Sequence, residues 1–123
     1  MIGYAMLGSN DLPRALNFYD DVLGVLGAKR MMAGEKFQTY GVTFPALGIC
    51  LPYDGAPATA GNGTMVALTA DSRAVVDATH AKALLLGGAD EGAPGPRGGA
   101  DSDFYAAYFR DLDGNKLCVF KIR

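Results

Sequence analysis

Apolar positions recur along the chain with two different periods. Leu12, Leu16, Tyr19, Val22, Leu23 and Leu26 fall three or four residues apart, which predicts a helix with one apolar face. Asn10 or Asp11 caps its start, Pro13 fits the first turn, and Gly24 and Gly27 offer stops. Val75, Val76, Thr79, Ala83 and Leu86 carry a second such stripe, capped by Asp71 or Ser72 and ended by Gly87-Gly88. Elsewhere the period is two. Alternation predicts strands over Ile2–Leu7, Lys29–Met32, Phe37–Thr43 and Leu47–Leu51, then Thr64–Thr69, a weak one near Asp90–Ala93, Phe104–Arg110 and Lys116–Ile122. Asp111-Leu112-Asp113-Gly114-Asn115 reads as a hairpin turn, with Gly114 supplying positive φ.

The two halves match at an offset of 61 through the helices, so that Leu7–Ala28 lies on Leu68–Ala89. Further on the offset becomes 68, pairing Tyr40 with Tyr108 and Cys50 with Cys118. The second half thus carries about seven extra residues, and Gly92–Asp103 reads as the loop that holds them. The expected organisation is α+β: two βαβββ modules, residues 1–53 and 64–123, joined by a linker at 54–63 into one compact domain.

Composition narrows the function classes. The chain has 123 residues, half of them hydrophobic and a fifth charged, enough to bury a core without a disulfide or metal. A net charge of −2 with scattered Lys and Arg speaks against nucleic acid and anionic membrane as partners. The start, Met1-Ile2-Gly3-Tyr4, does not read as a secretory signal, and two cysteines suggest reduced thiols; a cytoplasmic protein is expected.

Paired βαβββ modules, the stretch Phe18-Tyr19-Asp20-Asp21-Val22-Leu23-Gly24 and the Asp111–Asn115 turn resemble the glyoxalase / bleomycin-resistance / extradiol-dioxygenase (vicinal-oxygen-chelate) superfamily. The turn carries Leu112 where that family usually has proline. The resemblance implies a curved mixed sheet around a central groove, helices on the convex outside, and a homodimer in which a partner subunit can complete the groove. It also implies a divalent metal held by a His on the first strand and a Glu on the last strand of each module. Those positions fall on Tyr4, Met65, Cys50 and Cys118. None is a His or carboxylate, so no cofactor is expected and the family metal site reads as lost. A soft-metal site of Cys50, Cys118 and Met65 is the lesser reading.

The expected groove lining is Tyr4, Met6, Tyr40, Cys50, Met65, Tyr108, Cys118 and Phe120, apolar with a few hydroxyls, which suits a small organic molecule. Gln38, Arg97, Arg110 and Lys116 are candidates for polar contacts at its rim, and Arg97 for a lid over an anionic ligand. His80, the only histidine, is expected on the outer helix surface or rim. Two main functions remain: a metal-free binding protein, or a metal-dependent lyase of the lactoylglutathione lyase (glyoxalase I) type. Whether the chain is an enzyme stays open at this point. A purely structural module with a filled groove is the third reading.

Overall fold

The computed structural model describes residues 1–123. Helix α1, Leu12–Val25, begins where the Asp11 carboxylate accepts the Arg14 N–H, with Pro13 in the first turn. Leu26 closes it and Gly27 takes a φ of 80° that only glycine adopts freely. Ser72 caps helix α2, Arg73–Leu85, by accepting the Val75 N–H. Around the helices lie β1 (Tyr4–Gly8), β2 (Lys29–Ala33), β3 (Phe37–Gly41), β4 (Ala46–Cys50), β5 (Val66–Thr69), β6 (Ala89–Pro96), β7 (Phe104–Arg110) and β8 (Lys116–Ile122). The α+β class and the twofold βαβββ order are those the sequence predicts.

The strands form two four-stranded mixed sheets, ordered β1-β4-β3-β2 and β5-β8-β7-β6. The β1–β4 and β5–β8 pairs are parallel and the others antiparallel. Strand β6 is longer than predicted and takes in part of the expected loop, which shrinks to residues 97–103. Register shifts flank Gly92 in β6, and a glycine there suits a bulged strand.

The strands stay in two sheets rather than one, and each helix keeps a solvent-exposed face, with Arg14, Asn17 and Asp21 on α1 and Asp77 and Ala81 on α2. On their other faces α1 and α2 pack on each other, and one core of 16 buried residues spans both modules. Phe18 and Tyr19 of α1 meet edge to face at 5.1 Å, and Phe18 lies 6.5 Å from Phe109 of β7. Leu7, Leu47 and Ile49 join from the first sheet, Leu117 and Val119 from the second. Each such burial stabilises the fold by about 1.5–3 kcal/mol.

The β7–β8 turn locks the modules together. Asp111 is buried, and its carboxylate accepts the Tyr19 hydroxyl, the Asn115 side-chain amide and the backbone N–H groups of Asp113 and Asn115. Asn115 also donates to Gly8 O, while Asp113 accepts the Asn10 N–H. Burial, then the Asp111 charge, pushes the Tyr19 hydroxyl well above the ordinary phenol range. Gly114 turns this hairpin at a φ of 87°.

Candidate functional site

Because the helix sides of both sheets share the core, the opposite faces point outward and away from each other. On the first sheet the register puts Tyr4, Met6, Thr39, Gly48 and Cys50 on that outer face. On the second it puts Ala67, Phe104, Tyr108, Arg110, Lys116, Cys118 and Phe120 there. Tyr4 is 56% exposed, Met65 43% and Met6 39%. A groove with both faces as walls is therefore not made within one chain.

The expected lining residues divide accordingly. Tyr4, Met6 and Cys50 share the first outer face; Tyr108, Cys118 and Phe120 share the second, with Met65 exposed just ahead of β5. Tyr40 belongs to neither. It sits on the helix side, 2% exposed, and its hydroxyl donates to Asp20 Oδ1 at 2.8 Å. Burial, then Asp20, raises its pKa. Gln38 likewise points inward, is buried, and donates to Met32 O and Thr39 O. The repeat offset of 68 misled here, because the backbone gives a different equivalence. Ser9 N–H donates to Cys50 O where Ala70 N–H donates to Phe120 O. Met6 pairs with Gly48 where Ala67 pairs with Cys118. So Cys50 matches Phe120, Gly48 matches Cys118, and Tyr40 matches Phe109 in the core.

The two faces are finished differently. On the first, a Cβ at Gly48 would lie 2.0 Å from Met6 Sδ and 3.4 Å from Thr39 Cγ2. The thioether therefore lies flat across the sheet in the space that glycine leaves. On the second, a Cβ at Gly92 would meet Tyr108 Cδ1 at 2.9 Å and Arg97 Nη2 at 3.2 Å. There glycine seats an aromatic ring and a guanidinium. Arg97 lies 5.3 Å from the Tyr108 ring centre and Lys116 Nζ 5.7 Å. Beside them Phe120 stacks on Phe104 at 5.3 Å. Phe104 was missed from the sequence, although alternation with Ala106 and Tyr108 signals its side of the strand.

Arg97 is not a free lid. Its guanidinium donates to Ala93 O and Gly95 O of β6, the strand it follows. Arg110 pairs with Glu91 at 2.6 Å. His80 is buried rather than on the surface, and its Nε2 meets Asp90 Oδ1 at 3.0 Å between α2 and β6. The Gly92 N–H, then His80, holds the Asp90 carboxyl below its ordinary value.

The residues at the family's metal positions do not fit a divalent ion. A phenol (Tyr4), a thioether (Met65) and two thiols (Cys50, Cys118) stand where the resemblance implies His and carboxylate donors. Burial pushes both thiols up, which makes the thiolates a metal needs harder to form. The register correction leaves this unchanged, since Gly48 and Phe120 offer no donor. No group of three or more His, Cys, Asp or Glu side chains is placed to hold an ion. Open depressions of about 450, 300 and 440 Å³ lie at the α1 C-terminus beside Arg30, beneath the linker at Pro52–Pro57, and beside Leu12–Leu16. These three lie away from the two outer sheet faces.

The family model of the Glyoxalase/Bleomycin resistance protein/Dioxygenase superfamily matches residues 1–119. A glyoxalase/bleomycin resistance protein from Albidiferax ferrireducens T118 is 39% identical, with a TM-score of 0.87 over 96% of this chain and 95% of that one. A glyoxalase/bleomycin resistance protein/dioxygenase family enzyme from Burkholderia phytofirmans PsJN is 17% identical, with a TM-score of 0.77 over 99% and 98%. A lactoylglutathione lyase from Agrobacterium tumefaciens is 22% identical, with a TM-score of 0.68 over 98% and 92%. The latter two likenesses concern the fold alone. No curated protein matches the chain. No helix is long and apolar enough to cross a membrane.

Proposed function

The chain belongs to the glyoxalase/bleomycin resistance protein/dioxygenase superfamily, and from that premise we propose that it is a metal-free member that binds a small organic molecule. The observation that carries this reading is the second outer face, where Tyr108, Phe104 and Phe120 present aromatic surface in place of hard donors. Aromatic and apolar walls with few polar groups suit an organic guest. The binding unit is a cytoplasmic homodimer. In it the first outer face of one chain stands opposite the second outer face of its partner, covering Tyr4, Met6 and Met65. Exposed large apolar side chains on an ordered sheet favour such a covering.

The alternative is a lyase of the lactoylglutathione lyase kind, with which the chain shares fold. That chemistry needs a Lewis acid and a base at the reacting carbons, and neither Tyr4 nor a protonated thiol supplies them. The deciding experiment is a methylglyoxal–glutathione assay with added nickel or zinc. No turnover above the uncatalysed rate is expected; robust metal-dependent turnover overturns the binding reading in favour of the lyase.

A further inference from the structure

The second outer face carries more positive charge than its neighbours neutralise. Arg110 and Lys116 stand directly opposite each other across β7 and β8, an arrangement that like charges disfavour. Glu91 pairs with Arg110, but Arg97 and Lys116 have no ion-pair partner. Both converge on one ring, that of Tyr108, in a chain whose net charge is −2.

Arg97 is also held ready. Its Nη1 donates to Gly95 O and, at 3.4 Å, to Pro96 O, and its Nη2 donates to Ala93 O. A guanidinium has five N–H groups, so Nε–H and one Nη2–H remain unclaimed by the protein. A side chain already fixed by the preceding strand loses little freedom when it binds. The fixing depends on Gly92 and Gly95, where a Cβ would crowd Arg97 at 3.2 and 3.3 Å. Phe104 and Phe120 continue the face with stacked rings, so the cationic seat adjoins an aromatic floor. The field of the seat is felt locally. Arg97 draws down the pKa values of Tyr108 and Cys118 against the upward push of burial, and Lys116 does the same to Cys118.

We propose that the molecule bound on this face is an organic anion, a flat aromatic body bearing a carboxylate or similar acid, with the anionic group between Arg97 and Lys116 beside Tyr108 and the body along Phe120. The inference rests on the binding function proposed above and adds the charge and shape of the ligand. A charge-assisted contact in a partly desolvated seat is roughly twice as strong as a neutral one.

Two dyes separate the claims. 8-Anilinonaphthalene-1-sulfonate and N-phenyl-1-naphthylamine share an aromatic body and differ by a sulfonate. Fluorescence titration of the full chain should show the anionic dye bound about tenfold more tightly than the neutral one. 2-Naphthoate should displace the anionic dye, and 2-naphthalenemethanol should be much weaker. In Arg97→Gln/Lys116→Gln the two dyes should come within about twofold of each other, and Lys116→Gln alone should lose about threefold of the preference. Phe120→Ala should weaken both dyes alike. Equal affinities in the unmodified protein, or a preference that Lys116→Gln leaves undiminished, overturn the anion inference and leave the binding function standing. Failure of both dyes to bind, or binding indifferent to Phe120→Ala, overturns the binding function itself.

Discussion

The two modules share a backbone plan and use their outer faces in opposite ways. In each, a glycine makes room on the sheet. At Gly48 the room is taken by Met6, a flexible apolar chain that closes the surface. At Gly92 it is taken by Tyr108 and Arg97, which build a polar, aromatic seat. The difference teaches that duplication fixes where a side chain points but not what it is for. The first face is suited to be a cover and the second to be a recognition surface, so a groove needs one of each.

The largest expected effect concerns what holds the unlike halves together. Only the second module supplies the locking turn. Asp111→Ala strands the Tyr19 hydroxyl and the Asn115 amide inside the protein, and should cost about 3–5 kcal/mol in urea unfolding. Next come the matched core positions. Phe109→Ala should cost about 3–5 kcal/mol, whereas Tyr40→Phe, which removes only the hydroxyl bonded to Asp20, should cost about 1 kcal/mol. If Phe109→Ala costs no more than Tyr40→Phe, Phe109 is not the packed core residue that the fold requires.

The glycines give a smaller and more diagnostic pair. Gly48→Ala should cost under about 1 kcal/mol, because the Met6 thioether can swing aside, and should change the affinity for both dyes alike, leaving the preference for the anionic dye unaltered. Gly92→Ala should lower the preference for the anionic dye about threefold, since the new methyl group displaces Tyr108 and Arg97.

The smallest effect is on the pH dependence of stability. The hydrogen bond from Arg30 holds Asp20 below its ordinary carboxyl range, and the Gly92 N–H does so for Asp90. Both carboxyls bind protons more weakly folded than unfolded. Their contribution is present above the ordinary carboxyl pKa and is lost as pH falls through the folded values. Asp20→Asn should flatten the acid limb of the urea midpoint from the first module, and Asp90→Asn from the second, each slightly because both carboxylates face solvent. Tyr19 and Tyr40, whose pKa values are raised, act in the other direction: their contribution is lost as pH climbs past the ordinary phenol value.

Much of the fold could be read from the chain. Leu12 to Leu26 and Val75 to Leu86 mark the helices by period, and Asp11, Ser72 and Gly27 set their ends through capping chemistry. The hairpin at Gly114 follows from its turn residues. What could not be read was which side of each sheet meets the core. Alternation separates two faces without labelling them, so Tyr40 and Gln38 were placed on the wrong one. Paired tyrosines and paired cysteines suggested an offset of 68, yet hydrogen-bond register, which local sequence does not encode, matches Cys50 with Phe120. His80 looked like a surface residue because its partner Asp90 lies on another element. The cationic seat was legible in its parts, Arg97 and Lys116, but their convergence on Tyr108 depends on the bulged path of β6 around Gly92.

The central claim is that this family fold binds a guest without an ion. Its most direct test is the affinity for 8-anilinonaphthalene-1-sulfonate and 2-naphthoate, measured after exhaustive chelation and again with nickel or zinc added. The account predicts the same dissociation constants in both conditions and no stoichiometric metal in the protein. Binding that vanishes on chelation and returns with the ion would contradict it.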